Sequence, residues 1–133
     1  MARQIYVNLA VRDLERSKRF FSALGFSFNA QFTDDKAACL VIQDGSIYAM
    51  LITEPFFKTF IPRKTVCDAT KSTEVLVALS CASDDEVKQL VANATANGGK
   101  EAREPKDHGF MYEHAFEDPD GHIWELVHMR TQP

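Results

Sequence analysis

The chain has 133 residues, of which 45% are hydrophobic, so it is long enough to bury one core and too short for two cores of ordinary size. Its 15 basic and 19 acidic residues are well mixed and give a net charge of -4, which leaves no basic stripe for a phosphate backbone. We therefore predict a single compact domain over residues 1–133 with no nucleic-acid partner.

Membrane insertion and export are not indicated by the sequence. It contains no run of 18 apolar residues and no separate apolar leader segment. The cysteines are Cys39, Cys67 and Cys81, an odd number set among apolar neighbours, which favours reduced buried thiols over disulfides. We expect a soluble cytoplasmic protein.

The first half of the chain has the pattern of a strand, a helix and three further strands. Alternating apolar residues predict a strand over 4–11, and Asp13 is placed to cap a helix over 14–24 that Gly25 ends. Asp34-Asp35 and Asp44-Gly45 are hairpin signals between three short apolar runs. These predicted strands are Phe26 to Phe32, Ala37 to Ile42 and Ser46 to Ile52.

The second half repeats this order. A strand over 74–81 precedes Ser83 and Glu86, which form a capping box for a helix that continues to Gly98. Three strand-like segments follow, Glu101 to Arg103, Phe110 to Phe116 and His122 to Met129. The duplication predicts an α+β fold of two tandem βαβββ modules, residues 1–53 and 73–133, forming a curved mixed sheet around a concave cleft with the helices outside.

The connection between the modules, residues 54–72, breaks the pattern because it carries two prolines and three phenylalanines. Phe56, Phe57 and Phe60 are too apolar for a free tether. Either they cover the edge of the core, or they form a lid or a pocket wall.

Glu125 is the most informative residue of the last segment. Pro119 and Asp120-Gly121 predict a tight hairpin, and the strand after it alternates Ile123, Glu125 and Val127 on one face with Trp124 and Leu126 on the other. The carboxylate is therefore either a solvated surface charge or a functional group in a cavity. By the same alternation, the residues expected to share its side of the modules are Tyr6, Asn8, Ala10, Tyr48, Met50, Ile52, Leu76, Ala78 and Ser80.

The chain resembles the vicinal oxygen chelate superfamily, which includes glyoxalase I, fosfomycin and bleomycin resistance proteins and extradiol dioxygenases. The resemblance covers nearly the whole chain, and a run over 107–112 is similar to a bacterial subgroup of predicted lactoylglutathione lyases. The motifs that carry it are Val11-Arg12-Asp13-Leu14-Glu15-Arg16-Ser17, Phe20-Phe21, Leu24-Gly25-Phe26, Ala78-Leu79-Ser80, Asp118-Pro119-Asp120-Gly121 and Trp124-Glu125-Leu126.

The resemblance implies a divalent metal held by four side chains, typically His, Glu or Gln, from the first and last strand of each module. Those positions are Tyr6, Met50, Leu76 and Glu125 here, so only Glu125 is a good ligand. We expect no cofactor and no glyoxalase I activity. The alternative is a rebuilt site for Zn, Ni, Mn or Fe formed by Glu125, His114 and His108.

A cleft that works without metal would use a few polar groups among apolar ones. Glu125, desolvated there, would act as a general base or would anchor a ligand. The expected ligand-binding residues are Tyr6, Asn8, Tyr48, Met50, Leu76, Ser80, His108, Tyr112 and His114, with the facing of Tyr112 and His114 left open.

Two function classes follow from this set of residues. The first is a small-molecule-binding protein, glyoxalase-like or bleomycin-resistance-like. The alternative is a metal-dependent lyase or dioxygenase whose ligand set includes Glu125. The resemblance also implies a homodimer.

Overall fold

The computed structural model describes residues 2–131 and divides the chain into two compact units. The first unit ends at Cys67 and the second begins at Asp68, so the boundary falls inside the predicted connection. Within residues 2–131, no helix is both long enough and apolar enough to cross a membrane.

The first unit holds one sheet in the order β1-β4-β3-β2, in which only the β1 and β4 pair is parallel. This arrangement confirms the predicted βαβββ module. Its elements are β1 (Ile5–Val11), α1 (Leu14–Ala23), β2 (Ser27–Asn29), β3 (Ala37–Gln43), β4 (Ile47–Thr53) and α2 (Glu54–Phe60).

Helix α1 begins and ends as the sequence predicts. The Asp13 side chain accepts a hydrogen bond from the Arg16 backbone N–H at 3.0 Å, and Gly25 follows the helix with a φ of 97°. Phe20 and Phe21 are buried against the sheet and supply most of the apolar face of the helix.

Two predictions for this unit need correction. The strand expected over 26–32 is only Ser27–Asn29, because Asn29 caps a 3-10 turn, Ala30–Phe32, through its side chain. The connection is not irregular throughout, since α2 begins at Glu54 with Pro55 in its first turn, where a missing N–H costs nothing. Phe56 and Phe57 are half-buried there, whereas Phe60 is exposed.

The second unit repeats the topology in the order β5-β9-β8-β6, with the short β7 also paired to β8. Its parallel pair is again the first strand with the last long strand, β5 with β9. The elements are β5 (Leu76–Ser80), α3 (Asp84–Ala96), β6 (Lys100–Glu101), β7 (Lys106–Asp107), β8 (Met111–Glu117) and β9 (Ile123–Met129).

The start of α3 confirms the capping box. Ser83 Oγ accepts from the Glu86 N–H at 3.0 Å, and Glu86 Oε1 accepts from the Ala82 N–H at 2.7 Å. The helix buries Val87 and Val91 against β8 and β9. The predicted strand over 101–103 is wrong beyond Glu101, because the chain leaves the ladder before rejoining it as β7.

The three cysteines are free thiols but are not all buried. Cys39 is buried and Cys81 half-buried, whereas Cys67 is exposed, contrary to the expectation for it. Burial raises the pKa of the Cys81 thiol to about 11, and the nearby Glu86 carboxylate adds to the effect. Cys81 is therefore protonated at neutral pH.

The predicted hairpin joins β8 and β9 as an antiparallel pair. The buried Asp118 carboxylate accepts hydrogen bonds from the backbone N–H groups of Asp120 and His122 and from Trp124 Nε1. Gly121 has a φ of 93°, and a Cβ at this position would lie 2.7 Å from the Ala69 carbonyl oxygen. Glycine is therefore required at residue 121 for two reasons, the positive φ and the close approach of the Ala69 carbonyl.

We predict that Gly121→Ala lowers the free energy of unfolding by about 3 kcal/mol, because left-handed strain adds to a backbone clash. The matched control is Gly45→Ala, which has a φ of 86° with nothing near the added Cβ and should lose only about 1–2 kcal/mol. Urea unfolding measures both. Equal losses would contradict the role assigned to the Ala69 contact.

Candidate functional site

The candidate site lies on the face of the second unit's sheet that is turned away from α3. Strand β9 buries Trp124 and Leu126 on the helix side, so Glu125 points to the opposite face, where it is only 8% exposed. The register pairs Ala78 of β5 and Ala115 of β8 with Glu125. The same register places Leu76 beside Ile123 and Ser80 beside Val127.

The corresponding residues of the first unit also share one face of their own sheet. Tyr6 pairs with Tyr48 and Asn8 with Met50 in the β1 and β4 register. The Tyr6 and Tyr48 rings stack with centroids 5.0 Å apart. Tyr48 is buried, and its hydroxyl accepts from the Gly45 N–H at 2.8 Å, whereas Tyr6 is half-exposed at 48%.

Glu125 is held by a bidentate ion pair with Arg103. Arg103 Nη1 donates to Glu125 Oε2 at 2.5 Å, and Nη2 donates to Oε1 at 2.6 Å. This hydrogen bonding raises the pKa of the Arg103 guanidinium against the opposing effect of burial. Both carboxylate oxygens are therefore engaged by a cation that does not titrate in the physiological range.

Arg103 lies in the segment between β6 and β7. On one side of it, the Ala102 N–H donates to the Ala115 carbonyl at 3.0 Å. His114 Nε2 donates to the Arg103 carbonyl, also at 3.0 Å. The backbone of the segment is thus tied to β8 while the guanidinium reaches the Glu125 face.

The ion pair extends along the sheet face to two further residues. Arg103 Nη2 lies 3.6 Å from Glu113 Oε1, which in turn lies 3.2 Å from His108 Nε2. The hydrogen bond with His108, together with the Arg103 charge, lowers the pKa of Glu113 although burial opposes the shift. We call Glu125, Arg103, Glu113 and His108 the Arg103 cluster.

Tyr112 and His114 lie on the other face. Strand β8 pairs Tyr112 with His128 and His114 with Leu126, so both side chains are on the α3 side of the sheet. The structure does not bring His114 to Glu125, and the alternative ligand set of Glu125, His114 and His108 is not formed. The physical reason is the two-residue period of β8, which sends residue 114 to the face opposite residues 113 and 115.

The residues present do not fit the metal site that the resemblance implies. Met and Leu offer no useful ligand at residues 50 and 76, and the one good ligand, Glu125, has both oxygens on Arg103. Across the described range 2–131, no group of three His, Cys, Asp or Glu side chains could hold a metal ion.

Sequence reasoning missed Arg103 and Glu113. The carboxylate in an apolar row signals that a cationic or hydrogen-bonding partner exists, but it does not say which residue that is. The general-base expectation for Glu125 rested on an apolar environment, and the structure supplies a guanidinium instead.

Each unit is a βαβββ module in which the first and the last long strand pair in parallel. A helix covers one face of each sheet, and the other face carries the candidate polar groups. These features define the class of protein. The model of the Glyoxalase/Bleomycin resistance protein/Dioxygenase superfamily matches residues 3–126. The chain belongs to this superfamily. No protein of curated function matches it.

Solved structures agree with this assignment. A hypothetical protein from S. aureus is 31% identical, with 96% of this chain and 94% of that one covered and a TM-score of 0.78. A glyoxalase-related enzyme from Fulvimarina pelagi is 21% identical, with 98% and 91% covered and a TM-score of 0.80. A bleomycin resistance determinant encoded on the transposon Tn5 is 20% identical, with 96% and 98% covered and a TM-score of 0.60. The last two likenesses establish the fold alone.

We predict that Arg103→Met lowers the free energy of unfolding by about 2–3 kcal/mol, because it leaves a buried carboxylate without its cation. Combining it with Glu125→Gln should cost about 1–2 kcal/mol less than the sum of the single losses. A double-mutant cycle in urea measures this coupling. Strictly additive losses would show that the pair contributes no interaction energy.

We predict that Glu113 stabilises the protein at neutral pH and that this contribution is lost in acid. Because the pKa of folded Glu113 is depressed, its contribution is complete above the unfolded value of about 4.3 and is lost as the pH falls through the folded value. Stability measured from pH 7 to pH 3 should therefore fall less steeply below pH 5 in Glu113→Gln than in the parent. Glu104→Gln, at an exposed carboxylate in the segment between β6 and β7, is the control and should follow the parent curve.

Proposed function

We propose that this superfamily member binds a small oxygen-bearing organic molecule on the Glu125 face of the second unit, without a metal ion resident on Glu125. The observation that carries the proposal is the bidentate Arg103 and Glu125 pair. Relatives are expected to keep a metal ligand at this position. Here the charge of the Glu125 carboxylate is offset by the Arg103 guanidinium, to which it is hydrogen-bonded.

The surface beside the pair has the composition of a small-molecule site. Leu76 is 54% exposed, and Ala78 and Ser80 next to it on β5 are exposed as well. Apolar area with a small number of fixed polar groups is the usual make-up of such sites. Arg103 has five N–H donors and spends two of them on Glu125, so donors remain for carbonyl, hydroxyl or carboxylate oxygens of a ligand.

A catalytic role for Glu125 is disfavoured by the same pair. A general base must accept a proton from the substrate, and the hydrogen bonds that both Glu125 oxygens already accept from Arg103 compete with that role. We therefore assign Glu125 an anchoring role toward Arg103.

We predict that the purified protein contains no stoichiometric divalent metal and does not turn over the hemithioacetal of methylglyoxal and glutathione. Elemental analysis after expression in medium supplemented with Zn, Ni, Mn and Fe measures the first, and an absorbance assay measures the second. Arg103→Met should also remain metal-free, because releasing Glu125 leaves Met50 and Leu76 unable to coordinate.

One bound metal per chain, lost in Glu125→Ala, would overturn the proposal and restore the lyase or dioxygenase alternative. Binding itself is tested by adding fosfomycin, bleomycin and small hydroxy acids to ¹⁵N-labelled protein. Shifts centred on β5 and β9 that weaken in Arg103→Met support the proposed face. The absence of any such shift across the set would contradict it.

A further inference from the structure

An open cavity lies in the second unit on the side of the sheet opposite the Arg103 cluster. It has a volume of about 660 Å³ and opens between α3 and the segment that carries β6 to β8. This volume is within the ordinary range for small-molecule sites. The lining residues are Lys88, Val91, Ala92, Thr95, Ala96, Glu101, Pro105, Tyr112 and His114.

The middle of the cavity is apolar. Val91, Ala92 and Ala96 of α3 form one wall, and Pro105 contributes from the segment after β6. The Tyr112 ring, from the α3-facing side of β8, adds an aromatic surface. A compact aliphatic or aromatic body would bury apolar area here.

One end of the cavity carries a cation without an anion. Lys88 Nζ lies 5.4 Å from the centre of the Tyr112 ring, and among residues 2–131 it forms no ion pair with a carboxylate. Arg130 lies 5.9 Å from the same ring, but Asp84 and Asp107 bind its guanidinium. Lys88 is therefore the group of this pair that is available to an incoming anion.

The other end offers hydrogen-bond acceptors. His114 is 6% exposed, and its Nε2 must carry a proton because the Arg103 carbonyl, 3.0 Å away, can only accept. In the neutral imidazole Nδ1 is then an acceptor, and it makes no hydrogen bond to the described residues and is not sealed from solvent. The Glu101 carboxylate, 3.2 Å from Nε2, is a second acceptor at this end.

Tyr112, beside Lys88, and His114 are consecutive residues of β8 on the α3 side of the sheet. Tyr112 and His114 are two residues apart on one strand, which corresponds to roughly 7 Å. From this geometry we propose that the cavity binds a small carboxylate that carries a hydroxyl or amino donor at the opposite end of a compact apolar body. The carboxylate pairs with Lys88, and the donor bonds to His114 Nδ1 or Glu101. This site is distinct from the one on the Glu125 face and does not depend on it.

The test uses three matched probes titrated into the ¹⁵N-labelled full chain. 4-Hydroxybenzoate has both groups, benzoate lacks the donor, and 4-hydroxybenzamide lacks the charge. We expect saturable shifts at α3 and at residues 112–114 with 4-hydroxybenzoate, and affinities at least about tenfold weaker for the other two. Equal affinity for all three, or no saturable shift at these residues, would overturn the proposal.

A pair of lysine variants tests the assigned anion partner. Lys88→Met keeps the length of the side chain and should weaken 4-hydroxybenzoate binding about tenfold, whereas Lys71→Met, an exposed lysine outside the cavity, should leave it unchanged. An unaltered amide spectrum away from the cavity shows that each variant is folded. Undiminished binding by Lys88→Met, or shifts confined to residues 123–127, would contradict the site.

Discussion

The pairing of the first and last long strands in each unit is the constraint on which the positions of the polar groups depend. In the second unit, β5 and β9 run in parallel and fix Ala78 beside Glu125. Burial of Trp124, stacked on Phe116 with ring centroids 6.3 Å apart, decides which face of β9 meets α3. A one-residue shift in the register of β9 would turn Glu125 into the helix-covered core. The packing of Trp124 against α3 therefore determines which groups lie on the opposite face of the sheet.

The segment between β6 and β7 serves both faces of the sheet. Its backbone is held from the α3 side by His114, while the Arg103 side chain neutralises Glu125 on the far side. A long guanidinium from an irregular segment can adjust its reach in a way that a strand residue cannot, since strand side chains are fixed by the pleat. The segment therefore contacts His114 through its backbone and Glu125 through a side chain, on opposite faces of one sheet.

Local sequence signals predicted most of the fold because each acts within a few residues. Asp13, Ser83 with Glu86, and Asp120-Gly121 mark helix starts and a turn, and all three are present as predicted. The facing of Glu125 followed from strand alternation against Trp124 and Leu126. Arg103 could not be predicted, because it lies 22 residues from Glu125 in an unpatterned segment, and α2 was hidden by its phenylalanines and proline.

The position of β9 in the chain also constrains how the second unit is assembled. It lies between β5 and β8 in the sheet, yet it is synthesised after both. A ribosome-bound chain that has not reached residue 129 would expose β8 and the apolar face of α3, whereas the first unit is already complete through β4. The second unit is therefore the later of the two to complete its sheet during synthesis.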